Sequence, residues 1–393
     1  FSSNIMRWFT CTPVAFGGGP DFFARDSGLL CRGFREIGVE SMAVMPGDRK
    51  AEDEHDLIRT DYMNLESSDW WRGHQLDGVV LYAWGSPRYR FVAKAIHDAG
   101  IVLVLNQDHG GLVSPLAGLK GWFQDQWNLS GGVARFVRQV IKGLTYGLAI
   151  TDPRRAEHLS YGDAIACVSP ESAQSYAKLC RWYGGKVMAD KVQVVPHPVD
   201  HRFCHVEAPK KRQLVCVGRW DDTIQKRPCF MMKVIDHLLQ VDLRVTILIV
   251  GETTATMDAW HQRLSQEQQE RVLFHGKMLP EELVAIYQQS QVFYSPSAYE
   301  SFGIAAAESL CCGCSVVASQ SVSMSAFSWF VSENSGTLAT GNCVQDHVSA
   351  IEEELSRWEQ GMRDASEMSR VWRERLHAAR VAEKVLSISE KGK

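Results

Sequence analysis

Short apolar runs recur along the chain, with helical patterns filling the gaps between them. Runs at residues 5–12, 39–44, 79–83, 101–106 and 164–169 read as strands. Between the first two, Phe22, Phe23, Leu29, Leu30, Phe34 and Ile37 share one face of a helix over residues 21–37. Helical patterns at 87–98 and 170–182 fill later gaps. The alternation restarts at 214–218 and continues at 245–251, 272–275, 292–294 and 315–318, and helical patterns at 345–360 and 363–386 close the chain. Strand alternating with helix marks the α/β class, with parallel, doubly wound sheets and ligands at the carboxyl ends of the strands. The 393 residues exceed what one hydrophobic core sustains. Two domains are expected, residues 1–200 and 201–370, followed by a terminal helix at 371–393. The polar, basic run 207–212 reads as a linker between them.

Residues 295–318 carry the densest chemistry. A buried strand leads in, and Pro296 with the polar residues after it forms a loop. Gly303 opens an Ala-rich helix, Gly313 closes it, and the next strand follows. Ser301, Phe302 and Gly303 therefore stand at a helix N-terminus, where free N–H groups and the helix dipole favour an anion. Gly303 lets a ligand approach the backbone closely. Glu300 precedes the helix and Glu308 lies one turn in, roughly 6 Å further along the axis. Carboxylates at that offset could hold hydroxyls at both ends of an elongated ligand such as a nucleotide sugar. The plainer reading is a solvated Glu300 and a capping Glu308.

Three further stretches have two readings each. Gly17, Gly18 and Gly19 join the first strand to the first helix, as an anion cradle or as a tight turn. They form neither a dinucleotide fingerprint nor a P-loop. His109, in the strand-end run Asn106 to Gly111, faces the ligand side or serves as an ordinary hydrogen-bonding histidine. Within 119–148, Val133, Phe136, Val137, Val140, Ile141 and Leu144 recur at helical spacing, with Arg135, Arg138 and Lys142 between them. Such a basic amphipathic helix packs on the sheet with its charges in water, the more usual outcome, or turns its apolar side to anionic lipid.

Pro296, Glu300, Gly303, Glu308 and Gly313 together resemble the Glu-x7-Glu signature of retaining GT-B glycosyltransferases of the family-4 type (glycosyl transferases group 1). Ser309 stands where Ala is usual there, and Ser315 where Pro is usual. Val217-Gly-Arg-Trp followed by Gln225-Lys-Arg-Pro228 resembles that family's Gly-Arg…Lys pair. Residues 272–283 resemble its nucleobase loop, and 192–200 the end of its first domain, with Pro198 in place of Gly. The resemblance implies a GT-B fold, two Rossmann-like domains facing a central cleft, with the last helix crossing back onto the first domain. It also implies retaining transfer of a sugar from a nucleotide-diphosphate sugar to a hydroxyl of a glycan or lipid-linked acceptor. On it, the catalytic set is Arg219, Lys226, Glu300 and His109. The two cations meet the leaving diphosphate, Glu300 faces the donor sugar and His109 lies near that sugar. Donor binding falls to Gly17, Gly18 and Gly19, to Lys277 and Met278 at the base, to Ser301, Phe302, Gly303 and Ile304 at sugar and phosphate, and to Glu308 at the ribose. The resemblance fades at 319–325, where the family's Gly-Gly pair and further Glu are replaced by Ser-Gln-Ser-Val-Ser-Met-Ser.

Composition narrows the alternatives. Apolar content of 45% with 22% charged residues suits a soluble globular enzyme, and a net charge of −4 exerts no global pull toward nucleic acid or anionic membrane. The eleven cysteines include no zinc spacing and read as thiols of a reducing cytosol. No apolar run reaches the roughly 20 residues of a spanning helix, and no signal peptide is evident. A cytoplasmic place is expected, with peripheral membrane contact through 119–148 left open. Neither Asp-x-Asp nor His-Glu-x-x-His occurs, so no metal and no cofactor besides the donor are expected. Three rivals compete. A glycosidase using Glu300 and Glu308 would leave Arg219 and Lys226 without an anionic partner. A nucleotide-sugar epimerase of the same fold and a catalytically inactive sugar-nucleotide binder are the others.

Overall fold

The apolar runs assemble into two parallel sheets. The computed structural model describes residues 6–390. Its first sheet comprises β1 (Trp8–Cys11), β2 (Ala43–Pro46), β3 (Leu57–Thr60), β4 (Gly78–Tyr82), β5 (Val102–Gln107), β6 (Ala164–Cys167) and β7 (Val192–Val194), in the order β3-β2-β1-β4-β5-β6-β7. The second comprises β8 (Lys211–Val217), β9 (Thr246–Val250), β10 (Val272–His275), β11 (Ser290–Ser295), β12 (Ser315–Ser319) and β13 (Gly336–Ala339), in the order β10-β9-β8-β11-β12-β13. The pairings among these strands are parallel. Each sheet therefore winds outward in both directions from its first strand, and strand order reverses between β1 and β4 and between β8 and β11. This is the α/β doubly wound architecture.

The strands are continuous apolar runs because both faces of each sheet are covered. In the first sheet Phe9, Leu81, Leu103 and Ile165 join Trp71, Ile96 and Tyr176 in one core layer. Their chain neighbours Trp8, Val80, Val104 and Ala166 point the other way, into a layer with Leu30 and Phe34. Val381, Ala382 and Val385, from the end of the chain, complete that second layer.

The chain divides into two units, Phe1–Asp200 with Arg375–Lys393, and His201–Glu374. The first is thus discontinuous in sequence. Val199 donates its N–H to the Leu376 carbonyl at 2.7 Å and accepts from the Ala378 N–H at 3.1 Å. The Ala378–Glu390 helix then packs along the Asp26–Glu36 helix.

Several elements depart from the expectations. The Ile5 end of the first expected strand lies outside the described residues, and β1 itself begins at Trp8. The single helix expected at 21–37 is two, Pro20–Phe23 and Asp26–Glu36, broken where Asp26 takes a left-handed φ of 48°. The 363–386 pattern likewise splits into Ala365–Leu376 and Ala378–Glu390. The run at 207–212 is anchored rather than a loose linker. Lys210 Nζ donates to the carbonyls of Tyr287, Gln288, Ser290 and Cys312 at 2.9–3.1 Å. The basic amphipathic segment does not pack on the sheet. It forms a hairpin of Leu119–Ser130 and Val133–Lys142, continued by a π-helical Gly143–Thr151, and the Val133–Lys142 helix has no buried residue.

Candidate functional site

Ligands of doubly wound sheets sit beyond the carboxyl ends of the strands where strand order reverses. In the second unit that point lies between β8 and β11, and the loops leaving these two strands carry Arg219, Lys226, Glu300 and Gly303. Three donors converge on the Glu300 carboxylate. Lys226 Nζ pairs with Oε1 in a very short contact. Ser297 Oγ donates to Oε1 at 2.9 Å, and Gln225 Nε2 to Oε2 at 3.2 Å. The lysine and glutamate side chains are only 17% and 11% exposed, so water screens this pair little.

The backbone fixes the arrangement. Ala298 N–H donates to the Gln225 carbonyl at 2.8 Å, joining the two loops. Arg227, with a left-handed φ of 47°, sends Nε to the Pro296 carbonyl at 2.6 Å. Behind it His347 hydrogen-bonds Tyr294 Oη through Nδ1 at 2.8 Å and Ser319 Oγ through Nε2 at 3.2 Å, one ring nitrogen donating and the other accepting. Burial pulls this imidazole down to about 4, and the nearby Arg227 charge adds to the effect, so it stays neutral. The serine-rich run at 319–325 replaces missing motif residues with structure. Ser323 accepts from the Glu300 N–H at 2.8 Å, and Ser325 Oγ donates to the Ser301 carbonyl at 2.8 Å.

Gly303 is the N-cap of the Ile304–Cys311 helix, with φ 86°. A side chain there would be strained, and its Cβ would meet the Phe327 ring at 2.7 Å. Phe302 is buried against Phe330, with ring centroids 5.1 Å apart. Glu308 is half-buried in the same helix, and its charge reaches the buried Tyr287 phenol.

The remaining expected residues of this unit are more open. Arg219 extends into solvent with its side chain 76% exposed, 4.0 Å from Asp222. Asp222 in turn accepts from the Gln225 N–H at 2.9 Å, which ties the arginine's neighbour to the lysine loop. Lys277 is exposed and Met278 half-buried, both just beyond the end of β10. The structure thus brings Lys226, Glu300, Ser301 and Gly303 into one loop cluster, while Arg219, Lys277 and Met278 stand on loops at the same end of the sheet. Gln225, Ser297 and Arg227 escaped the sequence reading. The signal for two of them was their place beside Lys226 in a polar, basic tetrapeptide.

In the first unit, His109 follows β5. Its carbonyl accepts from Ser172 Oγ at 2.7 Å, and its Nδ1 is buried without a hydrogen-bond partner. Burial lowers the ring to about 4, and Arg155 adds to this while Asp108 opposes it. Of the three glycines, Gly18 is buried, and a Cβ there would lie 2.2 Å from Asp53 Oδ1. Gly17 and Gly19 keep some exposure. The loop is fastened by Arg59, which donates to the Phe16 carbonyl at 2.8 Å while paired with Asp53. Nearby in sequence to neither motif, His197 lies buried between Asp108 at 3.2 Å and Asp26 at 3.4 Å. Burial works against its charge, but Asp108 and then Asp26 outweigh it and hold the imidazole up at about 9.

Among the described residues, no group of three or more His, Cys, Asp and Glu side chains is placed to hold a metal ion. No described helix is long and apolar enough to cross a membrane.

Residues 211–357 match the family model described as Glycosyl transferases group 1, a span short of half the chain. A comparison with curated proteins found no match. Solved structures match over nearly the whole length. Anabaena HepE in complex with UDP and glucose is 14% identical, with 98% of this chain and 100% of that one covered and a TM-score of 0.60. The lipopolysaccharide outer core galactosyltransferase WaaB, in its apo form, is 14% identical with the same coverage and a TM-score of 0.65. Sucrose-phosphate synthase from Thermosynechococcus elongatus is 15% identical, with 98% of each chain covered and a TM-score of 0.57. The fold is therefore that of the GT-B glycosyltransferases, two parallel-sheet Rossmann-like domains.

Proposed function

We propose that this chain is a retaining glycosyltransferase that moves a sugar from a nucleotide-diphosphate sugar to a hydroxyl of a glycan or lipid-linked acceptor. The observation that carries the reading is the Lys226–Glu300 pair beside the Gly303-started helix, at the switch point of the sheet that matches the glycosyltransferase model. Breaking the glycosidic bond builds positive charge on the anomeric carbon and negative charge on the phosphate together. Lys226, Arg219 and the amides of Phe302 and Gly303 are assigned to the departing diphosphate, where preorganised charge is worth most. An ammonium has three donors, so Lys226 can keep Glu300 and still meet a phosphate oxygen. Glu300, held by its three donors, orients the donor sugar, and Glu308 takes the ribose. The base is assigned to the backbone near Lys277 and Met278. His109 and the Gly17–Gly19 loop are assigned to substrate contacts made by the first unit. The acceptor proton passes to the leaving phosphate on the same face, so no divalent cation is required. The proposed setting is the cytoplasm, at the membrane's inner face when the acceptor is lipid-linked, as in polysaccharide biosynthesis.

The decisive assay incubates the chain with a panel of nucleotide sugars, with and without glycan and lipid-linked acceptors. UDP-glucose is the first donor to try, since HepE has been solved with it. Release of nucleoside diphosphate together with a glycosylated acceptor, its anomeric configuration kept by NMR, supports the reading. Interconversion of the sugar nucleotide would indicate an epimerase, hydrolysis of unactivated glycosides a glycosidase, and binding without turnover an inactive homologue. Glu308→Ala is expected to lower kcat/KM by about 100-fold or more. Activity should persist in EDTA, and a loss restored by a divalent ion would remove the metal-free step.

A further inference from the structure

We propose that the Val133–Lys142 helix, with Trp127 beside it, is a docking surface for an anionic phospholipid membrane. The proposal does not depend on the transferase reading. Val133, Val137 and Ile141 are 65%, 46% and 58% exposed. At about 100° per residue they fall within about 80° of one another on the helix, forming one stripe. Leu144 and Tyr146 extend the exposed apolar surface into the π-helical turn, and Trp127 adds to it from the preceding helix. Single exposed apolar residues are ordinary, but a contiguous set of large ones marks an interaction surface.

Charge says what covers it. Arg135, Arg138 and Lys142 are exposed on the side of the helix away from the stripe, about 140–200° round from Val133. No Asp or Glu occurs between Asp125 and Asp152, although the chain as a whole carries −4. None of the three cations is paired with a carboxylate among the described residues. An apolar stripe with a polar opposite face whose charges are all basic is the pattern of a helix lying in the plane of an anionic interface. The hairpin presents the stripe clear of the core. Within it Phe136 stands edge-on to Trp127 at 5.3 Å, and Trp122 lies close against Gly143.

Co-sedimentation of the whole chain with vesicles tests this. Partition onto phosphatidylcholine vesicles containing phosphatidylglycerol should exceed partition onto phosphatidylcholine alone by roughly tenfold or more, and should fall as salt is raised. Arg135→Gln, Arg138→Gln and Lys142→Gln combined should reduce it roughly 100-fold. Val137→Asn with Ile141→Asn should weaken binding to the same vesicles about tenfold or more. Circular dichroism should show both variants folded, because every altered side chain is exposed. Should one fail to fold, the salt dependence of the unaltered chain still decides. Equal partition onto neutral and anionic vesicles would overturn the proposal, as would undiminished binding of the triple variant. So would a dimer in analytical ultracentrifugation that Ile141→Asn dissociates, since the stripe would then be covered by a second copy.

Discussion

A half-dry carboxylate such as Glu300 depends on each of its donors. Replacing Lys226 with Met leaves the charge with only Ser297 and Gln225. The expected cost is about 1–3 kcal/mol in urea unfolding, together with loss of transfer. Lys226→Arg, which keeps the charge, should recover most of the stability. Histidines set the pH limits. His109, His158 and His347 are drawn down to about 4, chiefly by burial, from an ordinary value of 6.5. Their folded values lie below their unfolded ones, so the stability they contribute is present above pH 6.5 and is lost as pH falls toward 4. His197 has the opposite sign. Held up at about 9, it contributes fully below pH 6.5 and loses that contribution as pH rises through 9. Denaturant midpoints across pH should decline on both sides, and His197→Gln should remove the alkaline decline while leaving the acid one. Glu300 and Gly303 were legible because their spacing is local to one helix start. Ser297, though only three residues before Glu300, was not, since it looks like any loop serine until its hydroxyl is seen on that carboxylate. Nor was Gln225, whose role exists only once loops about seventy residues apart in sequence are brought together. His197 was hidden for the same reason: its two carboxylates come from distant turns.

At the scale of elements, the helix that begins at Gly303 is the one whose start geometry matters most. Gly303→Ala forces a side chain into a left-handed conformation and against Phe327. The expected loss is about 1–3 kcal/mol, read by thermal unfolding, with a larger proportional fall in donor affinity. A wild-type Kd for donor in that variant would remove the helix start from the site. The long apolar strands were readable because a run buried on both faces has no polar interruptions. β3, β7 and β13 were missed. Each has only three or four residues, β3 is mostly and β7 wholly half-buried, and β13 opens with glycine, so none shows an apolar run. The 21–37 helix looked unbroken because its apolar periodicity survives the turn at Asp26, and backbone φ leaves no mark on that pattern. The 133–142 helix was read correctly as amphipathic, yet periodicity cannot tell whether a neighbour covers the apolar side.

For the whole molecule, the α/β alternation and the restart near residue 200 announced two sheets of the same winding. What sequence reading could not weigh is how completely the end of the chain belongs to the first unit. Val381, Ala382 and Val385 are fully enclosed with Leu30 and Phe34, and Gly33 lies so close to the Ala378 carbonyl that a Cβ would sit 2.4 Å from its oxygen. Val385→Asp should therefore cost more than about 3 kcal/mol. Hydrogen exchange should show the loss in the Asp26–Glu36 helix rather than in β8 to β13. Unchanged protection of the Asp26–Glu36 helix in the variant would mean the terminal helix is dispensable there. The same layout bears on biosynthesis. At about 5–20 residues per second a ribosome needs roughly 10–40 s to pass from Asp200 to the last turn of the terminal helix. The unit that contains Leu30 and Phe34 is thus the later of the two able to close, and its nascent surface around these residues must wait, chaperoned or at risk of aggregating, for a partner translated only after the whole second unit.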